Sequence, residues 1–197
     1  MNILLFGTTG MVGQGALREC LLAPDVMRVQ TVGRRASGPT HARLTRVLHQ
    51  DLFDCRAIEA ELSHDMPLAV AHTLARLHPQ MTFVYVSAAG ADSSEAGRSM
   101  WARVRGRTGN ALQRLPFKAV TMLRTGIIQP LRGIGSHTGA YRWPCILSAL
   151  LPLLRRLLPD TVLSTEIPGR AMLALARRGV PGTAPEATDI SALGRAA

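Results

Sequence analysis

The sequence predicts an α/β fold built on a parallel sheet, and three observations carry the prediction. A short apolar run, Asn2-Ile3-Leu4-Leu5-Phe6, opens the chain in the form expected of a strand buried on both faces. A glycine turn, Gly7-Thr8-Thr9-Gly10-Met11-Val12-Gly13, follows it directly. Helical and strand-like periodicities then alternate along the chain. With 197 residues, 47% apolar and 18% charged, there is material for one domain with a real core, or for a domain with a small appendage. Wholesale disorder is excluded.

After the turn, Val12, Ala16, Leu17, Cys20 and Leu21 recur at helical spacing until Pro24-Asp25 ends the helix. Val26 to Val32 reads as a second strand. Strand, glycine turn, helix and strand make a βαβ unit of about thirty residues, so the expected architecture is Rossmann-like, with helices flanking the sheet. Gly7 permits the tight turn, Gly10 leaves room for a pyrophosphate at the helix N-terminus, and Gly13 allows close packing. A glycine-rich turn without a ligand is the competing reading. The placement between strand and helix, with a second strand following, favours nucleotide binding. The second strand ends in Val32-Gly33-Arg34-Arg35, with two arginines and no acid where the adenosine ribose lies. Unless Arg34 and Arg35 are only solvated loop charges, they favour NADP over NAD as cofactor.

These residues resemble the short-chain dehydrogenase/reductase superfamily, specifically its extended and atypical members, among them NAD(P)-binding, nucleoside-diphosphate-sugar-epimerase-like proteins. GTTGMVG fits that glycine signature, and VGRR resembles the family's ending of strand two. The resemblance implies a cofactor-binding set of Gly7, Thr9, Gly10, Met11, Val12, Gly13, Arg34 and Arg35. It adds Asp51, near the adenine, just past a third strand at Arg46-Val47-Leu48-His49. Asp51 serves equally well as the N-cap of a helix over 55–62.

The resemblance breaks in the middle of the chain. The fifth strand of the family topology is plain at Met81-Thr82-Phe83-Val84-Tyr85-Val86-Ser87. Between Asp51 and Met81 the residues read helical throughout, with a seam near Met66-Pro67 and a second helical run from Leu68 to Leu77. Two helices fit that length; two helices plus a strand do not. The family's strand four is therefore expected to be absent, and strands one and five to pair directly.

Ser87, at the end of that fifth strand, matches the family's active-site serine; the alternative is a strand-end serine bonding the backbone. Asp92-Ser93-Ser94-Glu95 is expected to cap a helix from about Gly97 to Leu115. In the family this helix carries Tyr-x-x-x-Lys, a spacing that aligns both side chains on one face. Here Trp101 and Arg105 hold those two positions. An indole is a hydrogen-bond donor only and cannot serve as acid or base. Arg105 keeps the charge and could still touch the ribose, with a fork in place of a point charge. A further strand, Phe117 to Leu123, leads into Arg124-Thr125-Gly126-Ile127, which resembles the Arg-Pro-Gly segment beside the nicotinamide. Gly126 and Ile127 carry over as cofactor-binding positions. No metal site is expected, because the six histidines do not cluster, and there is no Gly-x-Ser-x-Gly elbow.

The C-terminal third begins with the most apolar stretch, 143–158, read as a substrate-side helix packed on the domain or on a partner in a homodimer, and alternatively as a membrane-surface contact. Glu166 to Arg178 reads as an amphipathic helix and Gly179 onward as a loose tail. The expected division is an NAD(P)-binding domain over 1–135 and a helical region with the tail over 136–197, forming one compact unit. No stretch approaches the roughly 18 apolar residues of a spanning helix, and the N-terminus lacks the basic segment of a signal peptide. Three scattered cysteines suit a reducing compartment, so a cytoplasmic protein is expected. The formal charge of +10 comes from 22 arginines and one lysine spread along the chain, with only 4% aromatics. No nucleic acid is expected as partner; a small-molecule ligand is. The function expected is an NAD(P)-binding oxidoreductase- or epimerase-like protein whose catalysis is weak or lost. The alternative is a non-catalytic nucleotide-sensing or interaction protein.

Overall fold

The computed structural model describes residues 1–48, 59–129, 162–179 and 184–196. In chain order the elements are β1 (Asn2–Phe6), α1 (Met11–Leu22), β2 (Arg28–Gly33), β3 (Leu44–Leu48), α2 (Glu59–Leu77), β4 (Thr82–Ala88), α3 (Met100–Gln113), β5 (Ala119–Thr125), β6 (Ile127–Gln129), β7 (Val162–Ser164), α4 (Glu166–Arg178) and α5 (Ala187–Ala196). The chain divides into two compact units: Met1–Leu52 with Gly126–Ala174 and Ala187–Ala197, and Phe53–Thr125 with Leu175–Glu186.

In the first unit β1, β2 and β3 form a parallel sheet, with Asn2 opposite Arg28 and Val29 opposite Leu44. Parallel neighbours require a crossover, and α1 supplies the first. The helix buries Leu17, Cys20 and Leu21 against Val26 and Val29 of the sheet side and Leu173 of α4. Arg43 fastens the end of this helix: its guanidinium donates to the carbonyl of Leu21 in the last turn and to those of Ala23 and Val26 just beyond it. Glu19 is buried on α1 and paired with Arg18 and with Arg170 of α4, the latter at 3.1 Å, so its charge is compensated. β6 and β7 form a second parallel pair in this unit.

In the second unit β4 and β5 pair in parallel from Thr82 opposite Ala119 to Ala88 opposite Thr125. Ala71, Leu112, Val120 and Met122 form its core, with Phe83 and Phe117 stacked at 5.0 Å.

Three expectations change. Where the sequence suggests two helices meeting at Met66-Pro67, α2 runs unbroken through Pro67. A proline removes one helical hydrogen bond and bends the axis, and the apolar side of the helix, Leu68 and Ala71, keeps it together against the core. Among the described residues no strand lies between β3 and β4; residues 49–58 lie outside them. Direct pairing of strands one and five is not among the ladders of the described residues: β1 pairs with β2, and β4 with β5. The stretch expected to be a loose tail holds α5, with Ile190, Ser191 and Gly194 buried. Gly194 packs against Ile167, where any side chain would collide with the backbone carbonyl at 2.4 Å. Periodicity at the chain end is too brief to reveal that anchoring.

Candidate functional site

The glycine turn is formed as its residue types dictate. Gly7 sits at φ +71°, a conformation that L side chains rarely adopt, and its carbonyl accepts from the Gly10 amide at 3.0 Å. Gly13 approaches that same turn so closely that a Cβ would lie 2.2 Å from the Gly7 oxygen. The fold therefore demands glycine at 7 and at 13, and the contact that Gly13 permits is with the turn itself.

Gly10 is different. It is the N-cap of α1 in extended conformation, and a Cβ there would meet nothing nearer than the Gly7 oxygen at 3.5 Å, an ordinary contact. It is exposed, has no side chain to cap the helix, and no acid stands in the first turn. The amides of a helix N-terminus lack intrahelical partners and carry partial positive charge. Thr9 is exposed beside Gly10, whereas Met11 is buried and Val12 half-buried, so these last two anchor the turn from below.

Arg34 and Arg35 are both exposed at the end of β2, and neither makes a hydrogen bond or ion pair with a described residue. Two residues later the hydroxyl of Ser37 meets that of the buried Thr8 at 2.6 Å. That bond ties the segment carrying the two arginines to the glycine turn, a link the sequence does not signal. Gly126 lies between β5 and β6, and Ile127 is exposed on β6. Asp51 and residues 143–158, as well as the 135/136 boundary, lie outside the described residues.

The second unit gathers Ser87, Trp101 and Arg105. Ser87 is buried near the end of β4, and its carbonyl accepts from the Thr125 hydroxyl at 3.2 Å. The Thr125 carbonyl in turn accepts from Ala89, which knots the ends of β4 and β5 together. Trp101 and Arg105, one helical turn apart on α3, stack with the guanidinium 5.5 Å from the ring centroid. Arg105 also hydrogen-bonds Tyr85; burial pushes the Tyr85 hydroxyl above its usual range, and the charge and hydrogen bond of Arg105 oppose that rise.

The loop between β4 and α3 is fastened from within. Ser99, and not the Asp92–Glu95 segment, caps α3. The Asp92 carboxylate instead accepts from the Ser94 hydroxyl and amide and from the Gly97 amide, which hold it below the usual carboxylate range. Asn110 donates to the Ser93 carbonyl and to Glu95, and the Asp92 amide donates to Ala102. Helix and loop can lie this close only because residue 106 is glycine: a Cβ would fall 1.7 Å from the Asp92 oxygen. Behind the loop lies a cavity of about 20 Å³ lined by Ser87, Ser93, Arg105, Asn110 and Arg124 among others. Arg124 opens the segment that resembles Arg-Pro-Gly, but nothing in the sequence places it or Asn110 at this cavity.

The chain has the fold of the extended short-chain dehydrogenase/reductase enzymes. It superposes on the Bordetella bronchiseptica enzyme WbmF bound to NAD+ with a TM-score of 0.62 and 16% identity, covering 98% of this chain and 76% of that one. The dTDP-glucose 4,6-dehydratase of Bacillus anthracis, also with NAD, gives 0.62 at 14% identity over 94% and 74%. The UDP-glucuronic acid 4-epimerase of Bacillus cereus with NAD gives 0.61 at 12% identity over 94% and 78%. No family model matches the sequence. Among curated proteins it is 28% identical to the mitochondrial protein fmp52 of Emericella nidulans, over 64% of this chain and 66% of that protein. With mitochondrial FMP52 of Chaetomium globosum the identity is 27%, over 98% of this chain and 96% of that protein. Both are named mitochondrial proteins, which overturns the expected cytoplasmic location. A sparse, scattered set of cysteines suits a reducing environment, and that criterion does not separate the cytosol from another reducing compartment.

Proposed function

We propose that the chain binds a nicotinamide dinucleotide on its glycine turn, with NADP preferred over NAD, as an oxidoreductase- or epimerase-like protein of weak or absent turnover. One observation carries the binding: Gly10 is a glycine that neither backbone conformation nor packing requires. A residue kept without a side chain at an exposed helix N-terminus is what an approaching pyrophosphate needs. Gly7, Thr9 and Gly10 would hold the pyrophosphate, with Met11, Val12 and Gly13 shaping the turn, and Arg34 and Arg35 would hold the 2′-phosphate. Asp51, Gly126 and Ile127 remain assigned to cofactor contacts through the resemblance. The solved structures of the same fold hold NAD, which supports the cofactor class.

The bound nicotinamide supplies hydride donation and acceptance. The residues of the chain must then move a proton, and here they are poorly equipped. Trp101 stands at the position of the family's proton donor, stacked on Arg105. General acid–base assistance contributes about 10²–10⁴-fold, so without it turnover falls well below the ordinary range of about 1–10³ s⁻¹. The same stacked pair favours a second reading, a nucleotide-sensing protein that keeps its cofactor unreacted. Titration of the purified chain with NADPH and NADH, read by cofactor fluorescence, tests the proposal. Saturable binding with NADPH about tenfold tighter supports it; absence of saturation with either cofactor overturns it. Turnover at an ordinary rate over a panel of carbonyl compounds overturns the assignment of weak catalysis.

A further inference from the structure

We propose that the NADP preference put forward above, on which this step rests, is set by two positioning residues, Arg46 and Ser37. They hold residues 34–39 against the glycine turn, so that Arg34 and Arg35 are in place for the 2′-phosphate before it arrives. Arg46 stands on β3 opposite Thr31 of β2, beside the connection between the two strands. Its guanidinium gathers three consecutive carbonyls of that connection. Nε donates to the Ser37 oxygen at 3.2 Å, and Nη2 to the Gly38 and Pro39 oxygens at 3.1 and 2.5 Å. The Ser37 hydroxyl adds a second tie, meeting that of the buried Thr8 at 2.6 Å. Between the two ties Gly38 turns the chain at φ +85°, where a Cβ would run into the Leu17 side chain of α1.

An exposed connection at a strand end is ordinarily more mobile than the sheet beside it. Ordering it when a ligand arrives costs conformational entropy, which is subtracted from affinity. Here the ordering is done when the chain folds. Two residues span at most about 7 Å, so the Cα of Arg35 lies no further than that from the Cα of Ser37, whose hydroxyl touches the glycine turn. The two arginines that this places are uncommitted. Both are exposed, and neither makes a hydrogen bond or ion pair with a described residue. Residues 26–48 contain no aspartate or glutamate to neutralise them. A guanidinium fork binds a phosphate well when its backbone is already held. Arg46 is committed otherwise, its fork spent on carbonyl oxygens. NADH has no 2′-phosphate, so holding this segment favours NADPH alone.

The test measures dissociation constants of NADPH and NADH on the full chain by cofactor fluorescence, and the rate of trypsin cleavage after Arg34 and Arg35. Arg46→Lys keeps the charge but cannot span three carbonyls. It is expected to shrink an NADPH preference of about tenfold to about twofold or less, with NADH affinity unchanged. Cleavage after Arg34 and Arg35 is expected to quicken at the same time, because trypsin cuts the opened segment. Ser37→Ala is expected to act in the same direction, and Ser37→Thr, which restores a hydroxyl, to return the preference. In a chain already carrying Arg34→Met and Arg35→Met, Arg46→Lys should change the preference no further. A further drop there means that Arg46 itself touches the phosphate, and it overturns the positioning role. So does an Arg46→Lys chain that keeps the parent's preference, or one that loses NADPH and NADH affinity alike. Should Arg46→Lys fail to fold, the two Ser37 variants decide on the same readouts. A parent with no NADPH preference brings down the NADP proposal and this one together. A preference lost with the Arg34 and Arg35 substitutions but kept with Arg46→Lys brings down the positioning role alone.

Discussion

Two strand-to-helix junctions, one in each unit, solve the same problem in opposite ways. Between β1 and α1 the chain turns through Gly7–Gly10 and leaves the helix N-terminus bare, with no side-chain cap and no acid in the first turn. Between β4 and α3 the chain spends residues 89–99 on a loop whose polar groups bond one another, with Ser99 capping the helix and Asp92 holding three donors. The first junction offers backbone amides to a ligand. The second consumes its own backbone donors, and the Nε–H groups of two arginines beside it are buried without partners.

The largest expected effect breaks the second junction. Gly106→Ala forces a methyl group to within 1.7 Å of the Asp92 carbonyl oxygen. Overpacking against backbone costs about 3 kcal/mol or more, read as a drop in the urea midpoint. At the first junction Gly10→Ala has room and should change stability by no more than about 0.5 kcal/mol. Equal losses from the two substitutions contradict the contrast drawn between them.

Next in size is the effect of Gly10→Val on binding. The branched side chain occupies the approach to the helix N-terminus, and NADPH affinity is expected to fall at least about a hundredfold, near 2.7 kcal/mol, with circular dichroism unchanged. Retained binding in a folded Gly10→Val protein reduces the glycine turn to a turn. Arg34→Glu with Arg35→Glu should then cost NADPH about tenfold, through charge-assisted bonds of about 1.5–3 kcal/mol, while NADH affinity stays close to that of the parent. Equal cofactor preference before and after the substitutions removes the 2′-phosphate assignment.

A pH measurement sharpens the second junction. Burial raises the Tyr85 hydroxyl above 10.0, with Arg105 opposing the rise. The folded state thus holds this proton more tightly than the unfolded state does. The stability it contributes is complete below about pH 10 and is lost as pH climbs through the folded value. Tyr85→Phe should flatten the alkaline decline in stability, and Arg105→Met should move tyrosinate formation further upward; a downward move refutes the Arg105 contact. The smallest effect is expected from Trp101→Tyr with Arg105→Lys, which restores the two residue types that the resemblance implies. NADPH oxidation should stay at the parent's level. Full activity from the double substitution alone places the whole defect in those two side chains.

The first junction was legible from residue types because glycine at 7, 10 and 13 acts through the backbone, where one letter of sequence carries the geometry. Trp101 and Arg105 were legible as a pair because four residues make one helical turn. Their stacking on each other, and the contact from Arg105 to Tyr85, were not, since a long side chain has several rotamers and its neighbours choose among them. The contacts of Ser93 with Arg124 and Asn110 were not legible for the same reason, since the three lie on separate segments with no spacing in common.

Sequence by itself determined the parallel βαβ start, the glycine turn, and an indole with a guanidinium one helical turn apart on α3. These follow from local periodicity and from residue chemistry that no environment can alter: an indole never becomes an acid. Tertiary structure alone decided that α2 continues through Pro67, that α5 is docked through Gly194, and that Arg105 and Arg124 meet at one cavity. Each of those outcomes depends on contacts between residues far apart in the chain, where packing outweighs the preferences of any single segment.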